Sequence, residues 1–208
     1  MMQRLIEAWR RASMHPLLRA STDRRVIKRW ERAGRPIPPT PPVKQAVVKE
    51  YQARFALRVF IETGTFAGLM IDAVRSRFDR ILSIELDPAW HARAKERFRS
   101  DSHVTLLLGD SGVILPKVLS ELKEPALFWL DAHYSGPVAA RGALDTPIVQ
   151  ELEAIRAHGM NHVVLIDDIR HFQGHDGYPT AEALTAWIRA AAPESTVEVR
   201  DDILRWHR

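Results

Sequence analysis

The sequence predicts an α/β protein: a doubly wound, mostly parallel sheet with helices on both faces and a helical, basic N-terminal arm. Three observations predict it. From residue 57 onward, short β-branched and aromatic runs alternate with segments of helical period. Two of these runs, 126–130 and 163–166, are almost purely apolar, as strands covered on both faces are. Each of the five runs up to residue 166 is also followed within two residues by an acid, and parallel strands end on the same edge of a sheet.

The arm comes first. Residues 1–35 read as helical and irregularly amphipathic, with Leu5, Ile6 and Trp9 on one face and arginines between them. The stretch 34–42, Gly-Arg-Pro-Ile-Pro-Pro-Thr-Pro-Pro, cannot continue a helix, because proline lacks an N–H and restricts its predecessor. The chain therefore divides into an arm and extended connector over 1–42 and an α/β domain over 43–208. A helix over 43–56 carries Val47, Val48, Tyr51 and Phe55 at helical spacing.

Strand and helix then alternate. Residues 58–61 form a strand and 67–78 a helix; 80–84 form the next strand, after which Asp87 caps a helix with Pro88 in its first turn. A strand over 104–108 leads into a helix around 112–122. Between the two apolar strands a helix over 147–158 places Ile148, Leu152 and Ile155 on one face and stops at Gly159. A last helix after Thr180 turns Leu184, Trp187, Ile188 and Ala191 inward, and strands over 196–199 and 203–206 flank Asp201-Asp202. Phe128, Trp129, Trp187 and Trp206 read as packing residues, whereas Trp9 and Trp30 in the arm are candidates for contact with a partner.

The 208 residues, 46% hydrophobic and 27% charged, suit one well-buried core. No run approaches the roughly 18 apolar residues of a membrane span, and the first residues lack the apolar segment of a secretory signal. Without cysteine there are no disulfides, thiolate metal sites or thiol nucleophiles. A cytoplasmic protein is the expectation. The net charge of +4 is uneven: residues 1–56 hold 13 Lys/Arg against 4 Asp/Glu, and the remainder is net acidic. Such an arm suits phosphates, an anionic membrane face, a protein partner or simply water.

The densest information lies in 59–68, Val-Phe-Ile-Glu-Thr-Gly-Thr-Phe-Ala-Gly. A strand ends in a carboxylate and turns through two spaced glycines into a helix. Little side chain covers the turn, and the helix start offers free N–H groups, which together suit a nucleotide-like ligand. A carboxylate at the next strand end, Glu85, offers only acceptors and so suits a cis-diol. The turn is not Gly-x-Gly-x-x-Gly, which argues against a nicotinamide dinucleotide.

The turn Glu62-x-Gly64-x-x-x-Gly68, Glu85 after the second strand and Asp110 after the third together resemble the class I, Rossmann-like S-adenosylmethionine-dependent methyltransferases, over about residues 43–208. The resemblance implies a cofactor site of Glu62, Gly64, Thr65, Gly68, Glu85, Asp110, Ser111 and Asp131. The turn would hold the methionine part, Glu85 both ribose hydroxyls and Asp110 the adenine amine. Asp110 also reads as a plain helix cap, and Glu85 as a helix-entry acid.

Asp131, with Asp167 and Asp168, forms a second constellation. Three carboxylates on adjacent strand ends need a proton, hydrogen bonds or a cation. The set is similar to that of metal-dependent O-methyltransferases, nearest the macrocin type and more loosely the catechol type. That likeness implies a divalent ion such as Mg²⁺ on Asp131, Asp167 and Asp168, gripping an acceptor hydroxyl pair and lowering its pKa. The Ala-His-Tyr that follows Asp131 departs from the macrocin pattern. Helix capping is the plainer alternative for these aspartates. His133, beside Asp131, is the candidate general base, with His171 in reserve. His171 and His175 alone do not complete a zinc site. The expected activity is methyl transfer to a hydroxyl on a small molecule or sugar-containing metabolite. An RNA methyltransferase gripping phosphates with the arm, and an inactive cofactor-binding scaffold, are the other two readings.

Overall fold

The computed structural model describes residues 16–131, 146–175 and 177–208. Its seven strands form one sheet in the order β3-β2-β1-β4-β5-β7-β6. They are β1 (Val59–Thr63), β2 (Arg80–Glu85), β3 (Val104–Leu108), β4 (Ala126–Leu130), β5 (Val163–Ile166), β6 (Thr196–Arg200) and β7 (Ile203–His207). The first five run parallel, and β7 enters antiparallel between β5 and β6. The expected mostly parallel, doubly wound sheet is present. Its order reverses between β1 and β4, the point where open α/β sheets leave a crevice beyond their strand ends.

Helices α1 (Pro16–Arg32) and α2 (Pro41–Phe55) precede the sheet, and α3 (Leu69–Val74), α4 (Pro88–Arg97), α5 (Ser111–Glu121), α6 (Ile148–His158) and α7 (Ala181–Ala191) follow in turn. Alternation along the central strands divides the core in two. Ile61, Phe128 and Val164 face Leu115 of α5, Leu152 of α6 and Ile188 of α7. Phe60, Leu127 and Trp129 face Val48 and Tyr51 of α2, Ile71 of α3 and Ala94 of α4. Among the described residues, no helix is long and apolar enough to cross a membrane.

Three details differ from the sequence expectation. The proline connector ends earlier, because Pro41 and Pro42 open α2, where a missing N–H costs nothing. The helix expected over 67–78 is shorter, with a single 3₁₀ turn at Arg75–Arg77. Trp30 is buried, and its indole N–H donates to Pro36 O at 2.8 Å, so it packs the arm onto its own connector. Trp9 lies outside the described residues.

Two fold positions yield stability predictions. Gly68 has φ +69°, and a Cβ there would stand 2.6 Å from Cε2 of Phe98. Gly68→Ala is therefore expected to destabilise by about 2–4 kcal/mol, combining left-handed strain with overpacking, as a lower urea midpoint. The second position is buried His162, whose Nδ1 accepts from the Ala126 N–H at 3.0 Å while its Nε2 meets His158 Nδ1 at 2.8 Å. Burial first, and His158 second, lower its pKa from 6.5 to about 4. The unfolded chain then binds the extra proton between those values, so this contribution is whole above pH 6.5 and is lost as pH falls towards 4. The loss should reach about 2 kcal/mol at pH 5. His162→Asn, which keeps an acceptor for Ala126, should flatten that pH dependence; equal pH dependence in both proteins would clear His162.

Candidate functional site

The ladder of backbone hydrogen bonds runs past the strand ends. Gly64 N–H donates to Ile84 O (2.9 Å), Gly109 to Glu85 O (2.8 Å), Asp131 to Thr63 O (3.0 Å) and Asp167 to Leu130 O (3.0 Å). Residues that follow four different strands are thus tied into one row along the carboxyl edge. That row is the floor of the crevice.

The turn after β1 rests on buried polar groups. Ser83 Oγ donates to Glu62 Oε2 at 2.6 Å, which leaves Thr65 Oγ1, 2.6 Å from Ser83 Oγ, to act as donor in turn. Glu62 is 2% exposed. Burial raises its pKa well above the usual carboxylate range; the Ser83 bond opposes this, and Asp131 and Glu85 add to it. Gly64 takes φ +85°, and Phe66, at φ +46°, packs against Trp90 at 4.2 Å between ring centroids with the rings tilted by 46°. Glu85 is fixed by backbone at both oxygens: Oε2 accepts from Phe66 N–H (2.6 Å) and Oε1 from Asp87 N–H (2.8 Å). Each oxygen keeps a second lone pair, so the carboxylate is aimed yet can still accept from hydroxyls.

Asp110 caps α5, its Oδ1 accepting from Gly112 N–H at 2.9 Å, and Ser111 opens that helix, buried. Gly68 has a packing reason to be glycine in the nearby Phe98 ring.

Oxygens of Asp131, Asp167 and Asp168 all lie within 4.8 Å of one another. The structure adds a fourth member, Lys44 in the first turn of α2. Its Nζ donates to Asp167 Oδ2 at 2.5 Å and to Asp168 Oδ1 at 2.7 Å. Burial works to lower the Lys44 pKa, but Asp167, Asp131 and Asp168 outweigh it and hold the ammonium charged. The Asp167 carboxyl, 1% exposed, is pushed up by burial and by Asp131 against the pull of Lys44. Asp168, at φ +53°, occupies the left-handed region that aspartate tolerates. Arg170 Nη1 donates to Asp168 Oδ1 at 2.6 Å and also pairs with Asp202. Asp202 additionally takes the Arg170 N–H at 2.8 Å, so the β6–β7 turn braces the segment after β5. Both turn residues, Asp201 and Asp202, have the positive φ that tight hairpins require.

The candidate base His133 falls in 132–145, outside the described residues. His171 is exposed at the end of the 3₁₀ turn Ile169–His171, and His175 is exposed with Nε2 3.3 Å from Gln173 Oε1. Lys44, Arg170 and Asp202 are the members that sequence reasoning missed. Lys44 lies 123 residues from Asp167 inside a basic segment, and nothing in its spacing sets it apart from that segment's other cations.

No family model matches the chain, and no curated protein matches it in sequence. Solved structures do match in fold. A Staphylococcus aureus protein provisionally described as a caffeoyl-CoA O-methyltransferase superposes with TM-score 0.59 at 13% identity, covering 89% of this chain and 91% of its own. The Bacillus cereus O-methyltransferase in complex with S-adenosylhomocysteine gives 0.56 at 16%, covering 90% and 91%. Streptomyces achromogenes TomG, an O-methyltransferase of tomaymycin synthesis in complex with S-adenosylmethionine, gives 0.54 at 16%, covering 82% and 81%. The chain therefore has the three-layer α/β fold on which these methyltransferases are built.

Proposed function

We propose that the protein is an S-adenosylmethionine-dependent methyltransferase acting on a hydroxyl of a small molecule or sugar-containing metabolite. The observation that carries this is Glu85, a buried carboxylate held at both oxygens by backbone N–H groups at the tip of β2, beside the glycine turn of β1. A cis-diol is what such an acceptor suits. The cofactor also fits the charge of the crevice: it carries a sulfonium and an ammonium, and Glu62, Glu85, Asp131, Asp167 and Asp168 stand at four neighbouring strand tips. The fold of cofactor-bound methyltransferases at low identity supports the same reading.

When bound, the cofactor supplies an electrophilic methyl group on sulfur. Gly64 and Thr65 would hold its methionine part above Glu62, and Asp110 and Ser111 would border the adenine. Asp131 would face the transfer, and His133, two residues on, would take the hydroxyl proton. The acceptor oxygen would gain the methyl carbon while the sulfur kept the bonding pair, so that S-adenosylhomocysteine would be the product. No step here runs through a divalent ion, because Lys44 already stands against the carboxylates that would hold one.

Calorimetric titration with S-adenosylmethionine tests the cofactor site directly. Micromolar binding is expected, weakened in Glu85→Gln by about 1.5–3 kcal/mol, roughly tenfold to a hundredfold, as for lost hydrogen bonds to a charged acceptor. No binding by the wild-type protein sinks the proposal. Given an acceptor, found by screening hydroxylated compounds for S-adenosylhomocysteine release, His133→Gln should lower kcat by about 10²-fold or more with cofactor affinity unchanged. An unchanged kcat would remove His133 from the mechanism.

A further inference from the structure

Three clustered carboxylates offer the hard oxygen ligands a divalent cation takes, yet here they come with an ammonium in their grasp. Lys44 Nζ lies 2.5 Å from Asp167 Oδ2 and 2.7 Å from Asp168 Oδ1, hydrogen-bond contacts to two of the three carboxylates. A Mg²⁺ ion would need those oxygens at about 2.0–2.1 Å, in the space the ammonium fills. A protonated amine has no lone pair to offer a metal and repels one. Ion and ammonium are therefore alternatives.

The fold also makes withdrawal of Lys44 costly. It stands in the first turn of α2, where Pro42, Val43, Gln45, Val47 and Val48 are all buried, and the Gln45 side chain donates to Leu69 O at 3.2 Å. The helix thus has little room to shift. The side chain itself is 17% exposed, its stem packed and its head between the two aspartates. Arg170 brings a second cation to the same oxygen, Asp168 Oδ1, and is itself anchored on Asp202. Asp167 and Asp168 therefore have cationic partners supplied by the chain.

We propose that Lys44 is the resident cation of the Asp131–Asp167–Asp168 centre, a positioning residue that takes the place of a divalent ion and excludes one. It holds Asp167 and Asp168 at the strand tip and leaves one of its three N–H donors for an oxygen in the crevice. The inference deepens the methyltransferase reading and rests on it only for what the crevice does, since the cation itself is a property of the free protein.

The test titrates the full-length protein with Mn²⁺, following free ion by electron paramagnetic resonance and stability by thermal melting. Wild type should show no stoichiometric Mn²⁺ site and no rise in Tm. Lys44→Met, which keeps the apolar stem and removes the charge, should gain one Mn²⁺ equivalent, about tenfold tighter than wild type or more, as expected when a like charge leaves a ligand set. Its Tm should rise with Mn²⁺, and Asp167→Asn on that background should abolish the gain. Lys44→Arg, which retains a cation, should bind no Mn²⁺. A stoichiometric wild-type site lost in Asp167→Asn overturns the proposal, and so does a folded Lys44→Met without metal affinity. If Lys44→Met does not fold, the wild-type and Lys44→Arg titrations still decide. A separate titration of wild type with S-adenosylmethionine reports on the cofactor reading, so each can fail alone.

Discussion

Four neighbouring parallel strands ending on one edge place Glu62, Glu85, Asp131, Asp167 and Asp168 in a half-buried crevice, and that much negative charge cannot be left without compensation. Four of these acids meet the constraint in three ways. Glu62, deeply buried, is satisfied by a hydroxyl relay through Ser83 to Thr65. Glu85 is satisfied by two backbone N–H groups, which hold it in place without neutralising it. Asp167 and Asp168 recruit Lys44 and Arg170. These solutions produce different chemistry from similar residues: a protonatable support, a fixed acceptor and an ion-paired centre.

The compensating groups also explain why segments outside the parallel sheet belong to the site. Helix α2 contributes Lys44 as well as core residues Val47, Val48 and Tyr51. The terminal hairpin contributes Asp202, which pins Arg170, while its partner Asp201 accepts from Arg35 of the connector at 2.7 Å. The first sheet-covering helix and the last hairpin are joined to the crevice by buried or half-buried ion pairs, and the connector is joined to that hairpin by the more exposed Arg35–Asp201 pair. Losing one partner of such a pair leaves the other charged and desolvated, so these links tie the site to the integrity of the fold.

Local physics accounts for what was legible in the sequence. The strands β4 and β5 were readable because double coverage leaves a run of apolar residues with no alternation, and β1, β2 and β3 because each breaks into a turn at an acid. The glycine turn was readable because a positive φ at Gly64 and Gly68 needs glycine. The Asp87 and Asp110 caps followed from residue type and position. The short α3 and the early start of α2 at Pro41 were not readable, since helix ends respond to packing and to which N–H groups already lack partners.

By itself the sequence determined the parallel α/β core, the edge on which its acids gather and the turn that opens the crevice, because periodicity, turn chemistry and strand direction act over a few residues at a time. Only the tertiary structure decided what those acids meet. Lys44 reaches Asp167 across 123 residues, and Asp202 reaches Arg170 across 32, through pairings that exist only once α2 and the terminal hairpin have docked. A lysine in a basic stretch is locally the same as its neighbours. Its burial between two carboxylates is a property of the packed chain.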